Sequence, residues 1–343
     1  MRILVSGGAG FIGSHFAKRL TRGGDEVVVL DKLTYSGNRA NLPGDIEFHE
    51  GDIARPEDVA RAAEGCEAIV NFAAETHVDR SILAAEDFGR TEFRGTQVLL
   101  EHVRATGVRL VQVSTDEVYG DLEAGGSSKE TDPLRPSSPY SAAKAAGDLL
   151  LPAYVRTFDV DASITRGSNT YGPHQYPEKL IPLFVTNALD GEPLPLYGDG
   201  RQVRDWLFVE DHCAGVELVL RKGAAGEVYN IGGGDEHENI EVAERLLELT
   251  GADRSLLRSV PDRPGHDRRY SLDTAKLRNL GWAPAKPFAD GLRETVDWYR
   301  ANRAWWEPIK SGAYREYYER QYAERLAQAT PVYGLGTERS TAK

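Results

Sequence analysis

The sequence predicts an α/β protein with a doubly wound parallel sheet and a smaller interleaved α/β lobe. Three observations support this prediction. Short apolar runs alternate with helical stretches through the first half of the chain, a glycine-rich turn at 7–13 joins the first run to the first helix, and after about residue 165 the pattern loosens into segments rich in proline, glycine and tyrosine. Repeated strand–helix units form parallel sheets that are covered by helices on both faces.

The strands of the first half are predicted from short apolar runs, most of them rich in valine and isoleucine. These runs are 2–6, 26–30, 46–48, 67–72, 109–114 and 160–165, and the helical stretches between them are 11–22, 56–63, 86–105 and 140–157. Ligands of such sheets bind beyond the carboxyl ends of the strands. The residues that follow these strands are therefore the first candidates for a functional site.

The second half of the chain predicts one further sheet strand and the smaller lobe. The strand is 228–233, the helices are 178–190, 210–221, 239–250 and 288–302, and 312–328 is an amphipathic helix with tyrosines on one side. We expect the sheet domain at 1–165, with returning segments near 206–233, and the smaller substrate-binding lobe at 166–205 and 234–328. Residues 329–343 are expected to form a flexible tail.

The composition argues against several classes of function. The 343 residues include 41 Lys and Arg against 53 Asp and Glu, a net charge of −12, so nonspecific binding to nucleic acid or to an anionic membrane is not expected. No apolar run approaches the about 18 residues that a membrane span needs. Cys66 and Cys213 offer neither a disulfide framework nor a metal cluster. We expect a cytoplasmic protein without a metal site.

A nucleotide site is predicted at the first strand–helix turn. Residues 7–13 read GGAGFIG, which places glycines at Gly7, Gly10 and Gly13 between a strand and a helix. Glycines there allow a tight turn and let the backbone approach a pyrophosphate, as in Rossmann-like sheets. Asp31 ends the second strand, where a carboxylate binds ribose hydroxyls and repels a 2′-phosphate, so NAD is favoured over NADP. Asp52 and Ile53, after the third strand, either meet the adenine edge or cap a turn.

Two adjacent acids follow the predicted strand 109–114, in the sequence VSTDEVYGD. Mutual repulsion and partial burial of Asp116 and Glu117 would leave one protonated acid beside one ionised base. Tyr140 and Lys144 lie four residues apart on one helical face, where an ammonium group favours the phenolate, so that the tyrosine can act as a base. Each pair also has a plainer interpretation, as turn-capping or solvent-bound acids and as ordinary surface residues.

Several long strings carry a resemblance to a known family. They are DKLTYSGN (31–38), FAAETHVDRS (72–81), STDEVYG (114–120), SPYSAAKA (138–145), YGPHQYPEKLIPLF (171–184), LYGDGRQVRDWLFVEDH (196–212) and DRPGHDRRYSLD (262–273). Together they resemble the extended short-chain dehydrogenase/reductase family and, within it, the dTDP-glucose 4,6-dehydratases, from residue 1 to about residue 310. Sugar-nucleotide epimerases and decarboxylases share the glycine motif and the Tyr-Lys pair but lack the adjacent Asp-Glu.

The resemblance implies a reaction on dTDP-glucose and a role for each candidate catalytic residue. Tyr140 removes the proton of the 4-hydroxyl while hydride passes to NAD, Thr115 steadies the oxygen, and Lys144 stabilises the phenolate. Glu117 abstracts the proton of carbon 5, and Asp116 protonates the departing 6-hydroxyl. Hydride then returns to carbon 6, Glu117 reprotonates carbon 5, and the product is a 4-keto-6-deoxy sugar.

The resemblance also implies two sets of binding residues. Those for the cofactor are Gly7, Gly10, Phe11, Ile12, Gly13, Asp31, Lys32, Leu33, Thr34, Gly37, Asp52, Ile53, Ala73, Ala74, Thr76, Thr91, Tyr140, Lys144 and Thr170. Those for the substrate are Arg204, Asn239, Arg263 and His266 at the diphosphate, Asn169, Lys179 and Leu180 nearby, Pro195 and Tyr197 at the thymine, and His77 and Thr115 at the sugar. Family members are usually homodimers joined through two helices per subunit, here near 88–105 and 141–157.

The chain departs from the family pattern at three positions. Gly167 stands where cysteine is usual, Thr170 where asparagine is common, and Glu92 where asparagine follows a threonine. None of these changes removes a candidate catalytic group.

The same sequence features are compatible with other functions. One is a nucleotide-sugar 4-epimerase, or a dehydratase that acts on another nucleotide sugar. Another is a catalytically silent NAD-binding scaffold, which predicts the loss of Thr115, Tyr140 or Lys144, although all three are present.

Overall fold

The structure is a computed structural model that describes residues 1–123 and 125–332. Its strands are β1 (Arg2–Ser6), β2 (Glu26–Asp31), β3 (Glu47–Glu50), β4 (Ala68–Asn71), β5 (Arg109–Thr115), β6 (Ala162–Gly167), β7 (Asn169–Tyr171), β8 (Leu194–Tyr197), β9 (Val203–Phe208), β10 (Val228–Ile231), β11 (Glu236–Glu238), β12 (Leu257–Val260) and β13 (Thr330–Pro331). Its helices are α1 (Phe11–Arg22), α2 (Pro56–Ala62), α3 (Val78–Leu83), α4 (Glu86–Gly89), α5 (Thr96–Thr106), α6 (Pro139–Phe158), α7 (Leu180–Asp190), α8 (Val209–Lys222), α9 (Asn239–Thr250), α10 (Ala275–Asn279), α11 (Phe288–Ala301), α12 (Arg303–Lys310) and α13 (Ala313–Ala327). A π-helical stretch, Arg90–Gly95, separates α4 from α5.

Seven strands form one parallel sheet in the order β10-β6-β5-β4-β1-β2-β3. The direction of winding changes at β1, because β2 and β3 lie on one side of it and β4, β5 and β6 on the other. The ends of β5 and β6 are in register, with Thr115 opposite Gly167. The predicted α/β class with a Rossmann-like doubly wound sheet is therefore confirmed.

The main core lies between the sheet and the helices that cover it. Leu4, Val28 and Ile69 on neighbouring strands are fully buried and belong to one apolar cluster with Leu99 of α5 and Leu151 of α6. Strands that are covered on both faces read as continuous apolar runs, and this is why β1, β2 and β5 could be found from the sequence.

The chain divides into two compact units. Unit 1 comprises Met1–His174, Arg204–Glu236 and Asp267–Phe288, and unit 2 comprises Gln175–Val203, His237–His266 and the described residues from Ala289 onward. The segments 166–174 and 267–288, which were expected in the smaller lobe, belong to unit 1. The first contains β7, which pairs in parallel with β9 of the same unit, Asn169 lying opposite Trp206.

Unit 2 has its own small sheet in the order β13-β12-β8. In it β8 and β12 are parallel, whereas β12 and β13 are antiparallel. The predicted amphipathic helix 312–328 is α13, and Tyr314, Tyr317 and Tyr322 on this helix are buried. Part of the predicted tail forms β13, and residues 333–343 lie outside the described residues.

The elements that the sequence did not predict are mostly short. They are β7, β8, β9, β11, β12, β13, α3, α10 and α12. Strands of two to six residues between prolines and glycines carry too few positions for a period to be recognised. The helix predicted at 86–105 is also not one regular α-helix, because the π-helical stretch interrupts it.

The described residues include neither a helix suited to cross a membrane nor a candidate metal site. Over 1–123 and 125–332, no helix combines the length and the apolar character that crossing a membrane requires. Within the same ranges, no three His, Cys, Asp or Glu side chains are grouped so that they could hold a metal ion.

Candidate active site

The glycine turn after β1 forms a cradle that has no room for side chains. Gly7 adopts a left-handed conformation with φ 71°, and a Cβ atom on it would lie 2.4 Å from the backbone nitrogen of Ala73. A Cβ atom on Gly13 would lie 2.2 Å from the carbonyl oxygen of Gly7. Gly10 precedes α1, and Phe11 and Ile12 are the first residues of this helix. The cradle thus presents bare backbone and a helix N-terminus, a surface that fits a dinucleotide pyrophosphate.

Asp31 at the end of β2 organises the loop that follows it. Its two carboxylate oxygens accept hydrogen bonds from the backbone N–H groups of Ala9, at 2.9 Å, and Leu33, at 2.8 Å. Burial raises the pKa of Asp31, and these two hydrogen bonds oppose the shift. A Cβ atom on Gly37 would lie 2.8 Å from Asp31 Oδ1, and Thr34 accepts a hydrogen bond from the N–H group of Gly37. The segment 31–37 is therefore folded around this carboxylate.

Asp52 has a different environment from Asp31. It forms ion pairs with Lys32 at 3.4 Å and with Arg90 at 2.8 Å, and it accepts a hydrogen bond from the N–H group of Ala54 at 2.9 Å. Burial opposes ionisation, but the Ala54 hydrogen bond and the two cations outweigh it and lower the pKa of Asp52. Asp52 also makes the turn-capping bond that was the plainer interpretation of this residue. The Lys32 ammonium group is thus paired with Asp52.

Three further predicted cofactor residues, Ala73, Ala74 and Thr76, lie in the loop after β4. Ala73, against Gly7, donates its N–H to Asn71 Oδ1 at 3.1 Å, and Ala74 follows it in the loop after β4. The hydroxyl of Thr76 lies 3.5 Å from the Tyr35 hydroxyl. Thr91 lies in the π-helical stretch, and Ile53 is buried against Gly95 of that stretch. The structure therefore brings together the loops after β1, β2 and β4.

Thr115, Asp116 and Glu117 lie where β5 ends. The Thr115 hydroxyl donates to Asp116 Oδ1 at 3.1 Å and accepts a hydrogen bond from the N–H group of Glu117 at 3.3 Å, so it caps the short 3₁₀ turn Asp116–Tyr119. Asp116 is 3% exposed, and its Oδ2 has no hydrogen-bond partner among the described residues. Burial, followed by the charges of Glu117 and Asp205, raises the pKa of Asp116 well above its ordinary range. These surroundings therefore favour the protonated form of Asp116.

Tyr140 lies in the first turn of α6, whose start is held in place by hydrogen bonds. Ser138 and Ser141 form a capping box, and the N–H group of Tyr140 donates to Ser81 Oγ at 3.1 Å. Burial raises the pKa of the Tyr140 phenol well above its ordinary range, and the charge of Glu117 adds to this effect. The spacing of Tyr140 and Lys144 alone predicts a lowered pKa for the phenol. The structure differs because burial and nearby carboxylates, which spacing does not show, raise this pKa.

Lys144, one turn after Tyr140, has two partners. Its Nζ donates to the carbonyl oxygen of Val113 at 3.3 Å and lies 3.2 Å from Oε2 of Glu92. Both members of this ion pair are buried, with side-chain exposures of 6% and 1%. Glu92 was noted in the sequence only as a departure from the family pattern.

The substrate residues expected in unit 1 are largely buried. Arg204 is 5% exposed, donates to the carbonyl oxygen of Asp267 at 2.9 Å and lies over the ring of Tyr270 at 4.5 Å. The Arg204 guanidinium is therefore a buried cation and not a surface group. Asn169 begins β7, and its Oδ1 is buried without a hydrogen-bond partner among the described residues. His77 is buried and immediately precedes α3.

The substrate residues expected in unit 2 are partly grouped around Asp262. Asp262 contacts His266 Nδ1 at 2.6 Å and accepts from the N–H group of Arg263 at 2.7 Å. The ring of His266 meets that of Tyr197 edge-on at 5.9 Å, and Tyr197 follows Pro195 in β8. Three further predicted residues lie at helix starts: Lys179 precedes α7, Leu180 begins it, and Asn239 begins α9.

Comparison with known proteins decides the family. The sequence model of GDP-mannose 4,6 dehydratase matches residues 4–295. The dTDP-glucose 4,6-dehydratase of Streptomyces niveus is 56% identical over 324 residues, which are 91% of this chain and 96% of the relative. The chain belongs to the dTDP-glucose 4,6-dehydratase family.

Solved structures agree with this assignment. The crystal structure of a dTDP-glucose 4,6-dehydratase, DesIV from Streptomyces venezuelae, with NAD bound, has a TM-score of 0.88 and 56% identity and covers 90% of this chain and 100% of that chain. A Thermus thermophilus UDP-glucose 4-epimerase in complex with NAD has a TM-score of 0.84 but only 35% identity, and covers 88% of this chain and 100% of that chain. The architecture is thus shared with epimerases, whereas the sequence is closer to the dehydratase.

Two departures from the pattern of dTDP-glucose 4,6-dehydratases meet at one histidine. A Cβ atom on Gly167 would lie 2.5 Å from Cε1 of His212, so the imidazole fills the space that a cysteine would need. The hydroxyl of Thr170 lies 2.7 Å from Nδ1 of the same ring. Burial lowers the pKa of His212 to about 4, so the ring is neutral at physiological pH. Gly167 and Thr170 therefore both contact His212, and the two departures form a single packing unit with this ring.

Sequence reasoning missed a buried network that includes Tyr119 of the turn Asp116–Tyr119. Arg166 of β6 forms a 2.8 Å ion pair with Asp148 of α6 and also donates to the Tyr119 hydroxyl at 2.8 Å. Tyr119 in turn donates to Asn230 Oδ1 at 2.8 Å. The network connects β6, α6, β10 and the turn that carries Asp116. An arginine directly after the predicted strand 160–165, and an aspartate four residues after Lys144, were the available signals.

Proposed function

We propose that this chain is an NAD-dependent hydro-lyase that converts dTDP-glucose to dTDP-4-keto-6-deoxyglucose, a step of deoxysugar biosynthesis. The observation that carries the proposal is the pair Asp116 and Glu117 at the end of β5, with Asp116 buried and its pKa raised. Eliminating water across carbons 5 and 6 needs a base for one carbon and an acid for the leaving hydroxyl. The chain supplies both at adjacent positions.

The residues that would hold NAD are those around the glycine cradle. Gly7, Gly10 and Gly13 leave the backbone bare for the pyrophosphate, and the Asp31 carboxylate at the end of β2 would bind the ribose hydroxyls. When bound, NAD accepts a hydride from carbon 4 of the sugar and returns it to carbon 6. The remaining chemistry consists of proton transfers by side chains of the chain.

Tyr140 serves as the base for the 4-hydroxyl. Burial and nearby carboxylates raise the pKa of the Tyr140 phenol, and a hydrogen bond with the Thr115 side chain opposes this shift. We assign to the Lys144 ammonium group the role of favouring release of the phenol proton. Once carbon 4 is a ketone, the proton of carbon 5 becomes acidic. Glu117 removes this proton, and Asp116 gives its own to the 6-hydroxyl, which leaves as water. Glu117 finally reprotonates carbon 5.

The epimerase alternative shares the fold and the Tyr-Lys pair. Presenting a 4-keto sugar to hydride from its other face requires no acid–base pair at carbons 5 and 6, so the alternative leaves Asp116 and Glu117 without a role. A dehydratase for another nucleotide sugar differs only in recognition of the base. We assign this recognition to Pro195 and Tyr197.

Partners and location complete the proposal. We assign a homodimer that uses the segments 88–105 and 141–157, because Phe93, Leu149 and Phe158 are 45%, 63% and 40% exposed at or beside them. We place the enzyme in the cytoplasm. Light scattering of the purified protein tests the dimer, and a monomer at micromolar concentration would contradict it.

The test of function is to incubate the purified chain separately with dTDP-glucose and UDP-glucose. We expect the dTDP-sugar to lose the mass of one water and to give the alkali absorbance of a 4-keto-6-deoxy product, and UDP-glucose to react much more slowly. Tyr140→Phe serves as the inactive control. A product of unchanged mass with inverted carbon 4 would establish the epimerase instead.

A further inference from the structure

Glu92 is a buried acid in contact with the catalytic lysine. It lies in the π-helical stretch Arg90–Gly95, a form of helix that shifts side chains relative to a regular α-helix and is frequent at functional sites. Its carboxylate is 1% exposed, with Oε2 3.2 Å from Lys144 Nζ, and Oε1 has no hydrogen-bond partner among the described residues. A surface ion pair would be screened by solvent, but this pair is not.

The backbone around Glu92 is built for this close approach. Gly147 of α6 lies one turn after Lys144, and a Cβ atom on it would lie 3.0 Å from the carbonyl oxygen of Glu92 and 3.2 Å from Oγ1 of Thr96. A Cβ atom at position 147 would require these neighbouring atoms to shift by a few tenths of an ångström. Gly147 therefore allows α6 and the π-helical stretch that carries Glu92 to pack closely.

The charged groups around Glu92 are mostly acidic or already paired. Lys144 is its direct partner, Asp148 on the same face of α6 is paired with Arg166 of β6, and Glu75 lies in the loop after β4. Burial raises the pKa of Glu92 to about 7, Lys144 opposes the shift, and the charges of Asp148 and Glu75 add to it. Glu92 can therefore gain or lose its proton within the physiological range.

We propose that Glu92 is a positioning residue that sets how strongly Lys144 assists Tyr140. The ionised carboxylate holds the ammonium group against the end of β5 and neutralises much of its charge. The protonated carboxyl leaves the charge of Lys144 free to stabilise the Tyr140 phenolate. This inference rests on the proposed role of Tyr140 as the base for the 4-hydroxyl, and it gives the Glu92 departure a function in the same reaction.

The test is the pH profile of Glu92→Gln, which keeps the size of the side chain and removes its charge. Removing one nearby buried charge shifts a pKa by about 1 to 3 units, and we expect the low end because Lys144 partly compensates Glu92. In the pH–rate profile of Glu92→Gln with dTDP-glucose, the acidic limb should therefore lie about one pH unit lower than in wild type. Glu92→Asp, which restores the carboxylate, should keep the wild-type limb, as should Glu86→Gln, an exposed acid of α4.

A second readout does not depend on turnover. The tyrosinate absorbance that is lost in Tyr140→Phe should titrate at lower pH in Glu92→Gln and in Glu92→Asn, the residue that is usual in the family. If both variants fold and their profiles coincide with wild type, or move to higher pH, the role of Glu92 is wrong. If Tyr140→Phe itself remains fully active, the proposed function fails instead, so the two failures are distinguishable.

Discussion

Replacing Asp116 by asparagine separates the catalytic role of this residue from its effect on stability. The amide has the same shape and its oxygen still accepts the hydrogen bond from Thr115, but it cannot give up a proton to the 6-hydroxyl. Loss of a general acid reduces rates by about 10² to 10⁴-fold. The expected phenotype is therefore slow release of water with oxidation at carbon 4 intact.

The effect on folding follows from the raised pKa of Asp116. An acid whose pKa is higher in the folded state binds more protons there than in the unfolded state, so its contribution to stability falls as the pH rises above the unfolded value. Each unit of elevation corresponds to about 1.4 kcal/mol at a pH above both pKa values. Asp116→Asn removes this penalty, so the variant should be as stable as wild type at mildly acidic pH and more stable at alkaline pH.

Two measurements check this prediction. Stopped-flow absorbance with dTDP-glucose should show reduced cofactor that accumulates in the variant, with mass spectrometry finding a 4-keto sugar that retains its 6-hydroxyl. Urea unfolding at mildly acidic and at alkaline pH should give a smaller loss of unfolding free energy in the variant than in wild type. A variant that is destabilised at alkaline pH would refute the reasoning, because Asp116 would then be ionised and favourably bound.

Further predictions concern the base, the cofactor and the core. Glu117→Gln should abolish elimination and leave NAD bound, as measured by product mass and cofactor content; unchanged product formation would contradict its role. Asp31→Ala should weaken NAD binding at least tenfold in a titration of cofactor-stripped protein, and an unaltered affinity would place the ribose elsewhere. Gly167→Ala should lower the unfolding free energy by about 1 to 3 kcal/mol because its Cβ meets His212, whereas Gly44→Ala, with open space around it, should change little. Equal urea midpoints for the two alanine variants would show that the imidazole moves aside.

Local patterns were sufficient to predict much of the sheet. The strands β1, β2, β4, β5 and β6 were each predicted within about two residues, because buried parallel strands are continuous apolar runs. The glycine turn and the start of α6 were equally visible, since both depend on neighbours within a few positions. The short strands of unit 2 were not, because proline and tyrosine at these positions form no recognisable period.

The residue types of the candidate site could likewise be identified from local sequence patterns. The electrostatic environment of these residues could not. The order Thr115, Asp116, Glu117, followed by Tyr140 and Lys144, is enough to name the candidate acids, bases and hydroxyls. The sequence could not show that the charge of Asp205 raises the pKa of Asp116, or that Lys144 forms an ion pair with Glu92. Those pairs are far apart along the chain.

The sequence by itself thus determined the sheet and the glycine turn and provided the candidate reacting groups, since each of these patterns involves residues that are close together along the chain. Only the tertiary structure decided in which direction the pKa values of Asp116 and Tyr140 are shifted and which groups are paired. The physical reason is that burial and charge–charge interactions depend on distances in space, and these distances are set by which strand ends and helix faces pack together.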